Sequence, residues 1–207
     1  MHITVEKVQR SQLDGLGDGH QGVALQTSAY PYAEFLDIVE AARRSSTLPF
    51  ILILDTLQDP QNLGTLLRTA EAVGVHGVVL PLRHTATVTP AVVNASSGAC
   101  EHLRIAQWNL AQAMDILKEN EIWLVGLEAD EEAQTPAQMD LNRPLALIVG
   151  SEGRGMRSLI RNKCDLLLRL PMIGKVASLN AAAAGSVALY LAWQARGFSV
   201  SSHRDLD

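Results

Sequence analysis

The chain is short of cysteine, of clustered histidine and of long apolar runs, and each shortage closes off a class of protein. Its two cysteines, Cys100 and Cys164, stand far apart with no Cys-x-x-Cys between or around them. No histidines gather at ligand spacing, so neither a structural zinc site nor any other metal is expected. So sparse a set of thiols makes a reducing cytoplasm the expected setting. No apolar stretch reaches the roughly 18 to 20 residues that a membrane-spanning helix needs, so no membrane partner is expected. The opening residues, Met-His-Ile-Thr-Val-Glu-Lys, lack the apolar core of a signal peptide. Positive charge is in deficit too: 17 Lys and Arg face 22 Asp and Glu, for a net charge of −5. That argues against non-specific attraction of the whole molecule to nucleic acid, but leaves room for a local basic face. Gly-x-Gly-x-x-Gly and Gly-x-x-x-x-Gly-Lys-Ser/Thr are also missing, which disfavours a dinucleotide fold and a nucleoside-triphosphate loop.

What is plentiful is apolar sequence, 47% of 207 residues, enough for one good-sized domain with a large core and a small appendage. Near the amino terminus, Ile3-Thr-Val5 resembles a short strand, and the glycine-rich stretch over 14–19 reads as a loop. Phe35, Leu36, Ile38, Val39 and Ala42 recur at helical spacing, predicting a helix within 30–45, and Ser45 to Pro49 reads as a linker. From residue 50 strands and helices alternate. Continuous apolar runs predict strands at 50–54, 77–80, 103–106, 122–127, 145–149 and 166–170. Between them the periodicity predicts helices at 62–73, 90–97, 110–119 and 156–162, and a long alanine-rich helix from Ser178 to about Arg196 closes the chain. The pattern implies an α/β fold: a mostly parallel sheet with helices on both faces. Ligands of such sheets bind outside the carboxyl ends of the strands.

Three segments lie at those ends. In the first, Asp55 to Arg68, Pro60 sets a turn, Asn62 is placed to cap the following helix, and Gly64 permits close approach of a ligand or another backbone. Taken alone it reads equally well as a capped helix carrying a surface arginine, Arg68. The second, Gly150-Ser-Glu152-Gly-Arg154-Gly155, holds three glycines in six residues after a buried strand. It demands special backbone geometry and leaves N–H groups for a ligand. The third, Leu170-Pro-Met172-Ile-Gly174-Lys-Val-Ala-Ser178-Leu179-Asn180, is apolar for a surface loop, which suits packing on a flat aromatic ligand. Ser178 is the expected cap of the last helix.

These segments, in this order, resemble motifs one, two and three of the SPOUT-type RNA ribose 2′-O-methyltransferases, the SpoU or TrmH family, over roughly residues 50–196. The resemblance implies an α/β domain over residues 48–207 with a C-terminal trefoil knot, using S-adenosylmethionine and working as a homodimer through the last helix. It implies that Gly150, Leu170, Met172, Gly174 and Leu179 contact the cofactor. Asn62, Arg68, Glu152, Ser178 and Asn180 would then form the catalytic and ribose-positioning set. His20-Gln-Gly-Val23 resembles the signature that ends a small RNA-binding domain in the branch that methylates a guanosine of large-subunit rRNA. Residues 1–47 would then be a remnant of that domain with its linker, and rRNA the first expected partner, tRNA the second. Where the family usually continues Asn-Val-Ser, this chain has Asn180-Ala181-Ala182.

The family's motif-one arginine is proposed as the base that takes the 2′-hydroxyl proton. A guanidinium holds its proton up to a pKa of roughly 12.5 to 13.8, so Arg68 is better suited to stabilising the developing oxyanion and gripping a phosphate. Two other readings stay open: a non-catalytic RNA-binding member of the family, and a small-molecule α/β enzyme that uses the glycine-rich turn for phosphate.

Overall fold

A computed structural model describes residues 4–17 and 20–199 of the chain, which divides into two compact units, 1–31 and 32–207. In the first unit a five-residue helix α1 (Arg10–Asp14) precedes a turn organised by His20. The His20 ring meets Asp14 Oδ1 at 2.9 Å, and its Nδ1 accepts the Gly22 N–H at 2.9 Å. Of the strand expected at Ile3–Val5, Ile3 lies outside the described residues, and Thr4 and Val5 form no strand. Of the expected glycine-rich loop, residues 18 and 19 lie outside them, and Asp14 belongs to α1.

The second unit begins ahead of α2 (Phe35–Arg44), so the boundary expected at residues 47 and 48 falls inside it. The reason is packing. Phe35, Ile38, Val39 and Ala42 are buried in the same apolar cluster as Val79 and Ala106 of the sheet, and the Phe35 ring lies 5.8 Å from that of Trp108. A helix with its apolar stripe so covered is part of the core.

Then come β1 (Phe50–Leu54), α3 (Pro60–Ala72), β2 (Gly77–Pro81), α4 (Pro90–Ala95), β3 (Ile105–Trp108), α5 (Leu110–Glu119), β4 (Trp123–Leu127), β5 (Leu145–Val149), α6 (Ser158–Lys163), β6 (Leu166–Leu168) and α7 (Ala181–Ala195). The six strands form one sheet in the order β3-β2-β1-β5-β4-β6, and every neighbouring pair is parallel. β1, β2 and β5 are buried at every position, which is why they read as unbroken apolar runs. Ile51, Ile53, Ala146 and Ile148 face the cluster made with α2, α5 and α6. Alternation turns Leu52, Leu54, Leu147 and Val149 to the other face. There α3 and α7 pack, with Gly185 of α7 so close to Leu66 and Val149 that an added Cβ would lie 2.6 Å from Leu66 Cδ2. Among the described residues no helix is long and apolar enough to cross a membrane.

Two features place the site. Leu54 and Leu127 both pair with Val149, so the strand ends are level and Asp55, Glu128 and Gly150 emerge side by side. At the opposite end of the sheet the Arg196 guanidinium donates to the carbonyls of Leu48, Pro49 and Arg143 and lies 4.2 Å over the Phe50 ring. Burial pushes its pKa down to about 10, which still leaves it charged at neutral pH. Fifteen residues of α7 rise about 22 Å. With Arg196 anchored at the amino ends of β1 and β5, the first turn of α7 arrives at the carboxyl ends.

Candidate active site

The glycine-rich loop after β5 is built by backbone contacts. Ser151 and Gly155 exchange N–H···O bonds of 3.0 Å each, folding residues 151–155 into a closed turn. A Cβ on Gly150 would lie 2.2 Å from the Gly155 carbonyl carbon and 2.3 Å from the Met156 nitrogen, so no other residue fits there without moving the loop. The far side of the turn is clamped by Asp55. Its carboxylate, 0% exposed, accepts the Arg157 backbone N–H at 2.8 Å and the Arg157 Nε–H at 2.7 Å. Half of the Arg157 side chain (51%) reaches solvent, so the guanidinium keeps much of its hydration while the carboxylate has its two donors.

Glu152, at the tip of that turn, is where the three segments meet. Asn62 donates from Nδ2 to Glu152 Oε1 at 2.9 Å, and Asn180 donates to Asn62 Oδ1 at 3.1 Å and also to Glu152 Oε1. Asn180 is fixed because its own Oδ1 accepts the N–H groups of Ala182 (2.9 Å) and Ala183 (3.1 Å). Thus Asn180, and not Ser178, caps α7, and its amide nitrogen is left to face the carboxylate. The acceptor needed at a helix start is a short side chain one residue outside it, and α7 starts at Ala181. A parallel correction holds at α3. Asp59 accepts the Gln61 N–H at 3.0 Å with Pro60 at the first helical position, so Asn62 lies inside the first turn and its amide serves the site. Gly64 serves packing: an added Cβ would lie 2.4 Å from Ala95 Cβ of α4. At Ala182 the first turn uses the backbone N–H, and the side chain is buried, so the alanine does not remove a group from the cluster.

Two cavities flank Glu152. One, of about 320 Å³, is walled by Leu127, Val149, Gly150, Leu170, Met172, Ser178 and Leu179, with the carboxylate-bearing Glu128 among its lining residues. The other, of about 820 Å³, lies between the β1–α3 loop, His84 and the glycine-rich turn, with Asn62 in its lining. Gly174 and Arg68 line neither. Arg68 stands exposed on α3, one residue before Thr69, whose hydroxyl meets that of Ser186 on α7 at 2.9 Å. Three residues of the site escape a sequence reading. Asp55 and Glu128 each follow an apolar strand directly, and an acid at a buried strand's end is the signal available for both. Arg157 carries none, since its partner lies 102 positions away.

A wholly parallel α/β sheet with a hydrogen-bonded polar cluster and two cavities at its carboxyl ends defines a ligand-binding domain of the kind comparisons can place. The model of the SpoU rRNA methylase family matches residues 49–190, and the chain belongs to that family. The Bacillus subtilis protein YacO, assigned to the TrmH family of tRNA/rRNA methyltransferases, is 47% identical over 94% of this chain and 78% of its own length. The SpoU methyltransferase AviRb of Streptomyces viridochromogenes, solved in complex with AdoMet, aligns with a TM-score of 0.69 at 30% identity, over 82% of this chain and 67% of that one. An AdoMet-bound rRNA methyltransferase of Sinorhizobium meliloti aligns at 0.68 and 26% identity, over 79% of this chain and 61% of that one.

Proposed function

We propose that the chain transfers a methyl group from S-adenosylmethionine to a ribose 2′-hydroxyl of RNA, a guanosine of rRNA being the first candidate and a tRNA nucleotide the second. The observation that carries this reading is the convergence of Asn62, Glu152 and Asn180 on one carboxylate between two cavities. The smaller cavity suits the donor. At about 320 Å³ it is of small-molecule size, and its wall of Leu127, Val149, Leu170 and Leu179 is apolar. Its two acids, Glu128 and Glu152, outnumber its one base, Arg154, which suits a donor carrying both a cation and a carboxylate. The absence of a side chain at Gly150 lets the glycine-rich turn pack back on the strand end, which holds Glu152 beside this cavity.

Bound there, S-adenosylmethionine supplies an electrophilic methyl group that needs no metal. The chain's residues supply orientation. Both amides engage Oε1 of Glu152, which leaves Oε2 to accept the ribose hydroxyl and aim its oxygen. The cluster is fixed before the hydroxyl arrives, so little reorganisation is needed. As the oxygen takes the methyl group, leaving the donor a neutral thioether, the hydroxyl proton passes to water or a phosphate oxygen. Ser178 stabilises the developing negative charge, and Arg68, outside both cavities of its own chain, does so from across a dimer interface. Arg68 lies on α3, which packs against α7, whose Val187 and Tyr190 are exposed. Through this helix we propose a homodimer, with Arg68 acting from the rim of the interface. We propose also that the route from β6, at the sheet edge, back to α7 against β5 forms the trefoil knot, and that residues 1–47 contribute to RNA docking.

Calorimetric titration of S-adenosylmethionine, with Leu179→Arg as the blocked-cavity variant, tests the reading. Saturable binding that the substitution abolishes is expected. A folded protein that binds nothing at millimolar ligand would overturn it and favour the non-catalytic RNA-binding alternative.

A further inference from the structure

The second cavity has features that donor binding leaves unexplained. Its walls are two loops locked to each other: the Leu57 carbonyl accepts both the Ala86 N–H at 2.7 Å and the Thr85 hydroxyl at 2.9 Å. Each loop carries a non-glycine residue in the left-handed region, Thr56 (φ 59°) and His84 (φ 59°). Such a conformation is costly, most of all for a β-branched residue such as Thr56. The lock fixes the backbone beside Gln58 and His84, both exposed and both lining the cavity. Neither side chain, nor that of Arg154 across from them, has a hydrogen bond or ion pair within the described residues. The carboxylate of Asp59 on the same wall is engaged in capping α3.

These groups have complementary chemistry. Gln58 offers an amide donor and acceptor, His84 offers both plus a flat ring, and Arg154 offers a planar cationic fork. An amide and an imidazole can hydrogen-bond a base edge and stack on its face, while a guanidinium suits a phosphate. Glu152 lies at the mouth shared with the donor cavity, so a ribose there would have its base on one side and the methyl donor on the other.

We propose that the second cavity receives the base of the acceptor nucleotide, extruded from its stack, with Gln58 and His84 setting base preference and Arg154 holding a flanking phosphate. This rests on the RNA 2′-O-methyltransferase reading. The cavity, about 820 Å³, is open enough for a nucleotide entering from single-stranded RNA.

Fluorescence-anisotropy titration of four pentaribonucleotides, identical but for the central base, tests it on wild type, on the double variant Gln58→Ala/His84→Gly, and on Arg154→Ala. Glycine at 84 keeps the left-handed backbone accessible. Wild type should bind the best of the four about tenfold more tightly than the worst. The double variant should compress that spread to about twofold while its S-adenosylmethionine affinity, read by calorimetry, stays at the wild-type value. Arg154→Ala should weaken all four about equally and keep the spread. A spread that survives the double variant, or a wild type that binds the donor but all four oligonucleotides alike, overturns the base-reading role and leaves the methyltransferase reading standing. Failure of wild type to bind the donor overturns both.

Discussion

The two loops that wall the smaller cavity are made in opposite ways. Residues 150–157 are closed by reciprocal backbone bonds, seated on the strand ends by the Gly150 contact and clamped from below by Asp55. Residues 171–180 are exposed one after another, with Ile173 and Val176 bare to solvent, and among the described residues none of their N–H groups donates a backbone hydrogen bond. Only Asn180, at the very end, is held. The contrast teaches that half of the cavity is held in place by the chain's own bonds, while the other half has few bonds of its own to hold it. An apolar loop with unpaired backbone gains most when a flat ligand or a second protomer covers it.

Substitutions can break that contrast, and their effects on stability should descend in order. Gly150→Ala puts a methyl group into the Gly155 and Met156 backbone and should destabilise by about 3 kcal/mol in urea unfolding, with donor binding lost. Asp55→Asn keeps an acceptor for the Arg157 N–H but removes the buried charge that holds the guanidinium. A loss of about 2 kcal/mol is expected in the same assay, moderated because Arg157 can turn to water. Asn180→Ala removes the α7 cap and should cost about 1 kcal/mol, while methyl transfer to RNA falls about a hundredfold because Glu152 loses its alignment. Gly174→Ala meets no atom within 4 Å. It should leave stability within about 0.5 kcal/mol, and calorimetry should show donor affinity falling if the loop closes over the ligand.

The same division explains what could be read without a structure. β1, α5 and β5 have the bounds that periodicity assigns, because fully buried strands and a strongly amphipathic helix write themselves into local sequence. β6 is shorter than its apolar run, since Arg169 leaves the ladder and bonds Gln134 and Ala133 of the preceding loop. The convergence of Asn62, Glu152 and Asn180 was visible only as three motifs at strand ends. That Asn180 caps a helix as well as facing the carboxylate, while Asn62 only faces it, depends on helix starts that propensity fixes only to a residue or two. The Asp55–Arg157 clamp and the lock at Leu57 join residues far apart in sequence, and no local pattern encodes them. Arg68, marked by its motif, stands exposed on α3 outside both cavities, and its helical periodicity is that of any solvent-facing position.

Hydrogen exchange of the two loops, with and without saturating S-adenosylmethionine, tests this most directly. The amides of Ser151 and Gly155 should be protected in both conditions, and those of residues 172–179 should exchange freely until the ligand is added and then slow at least tenfold. Protection of both loops in the ligand-free protein, or no slowing of residues 172–179 at saturation, would contradict a cavity that is half prepared and half assembled around its donor.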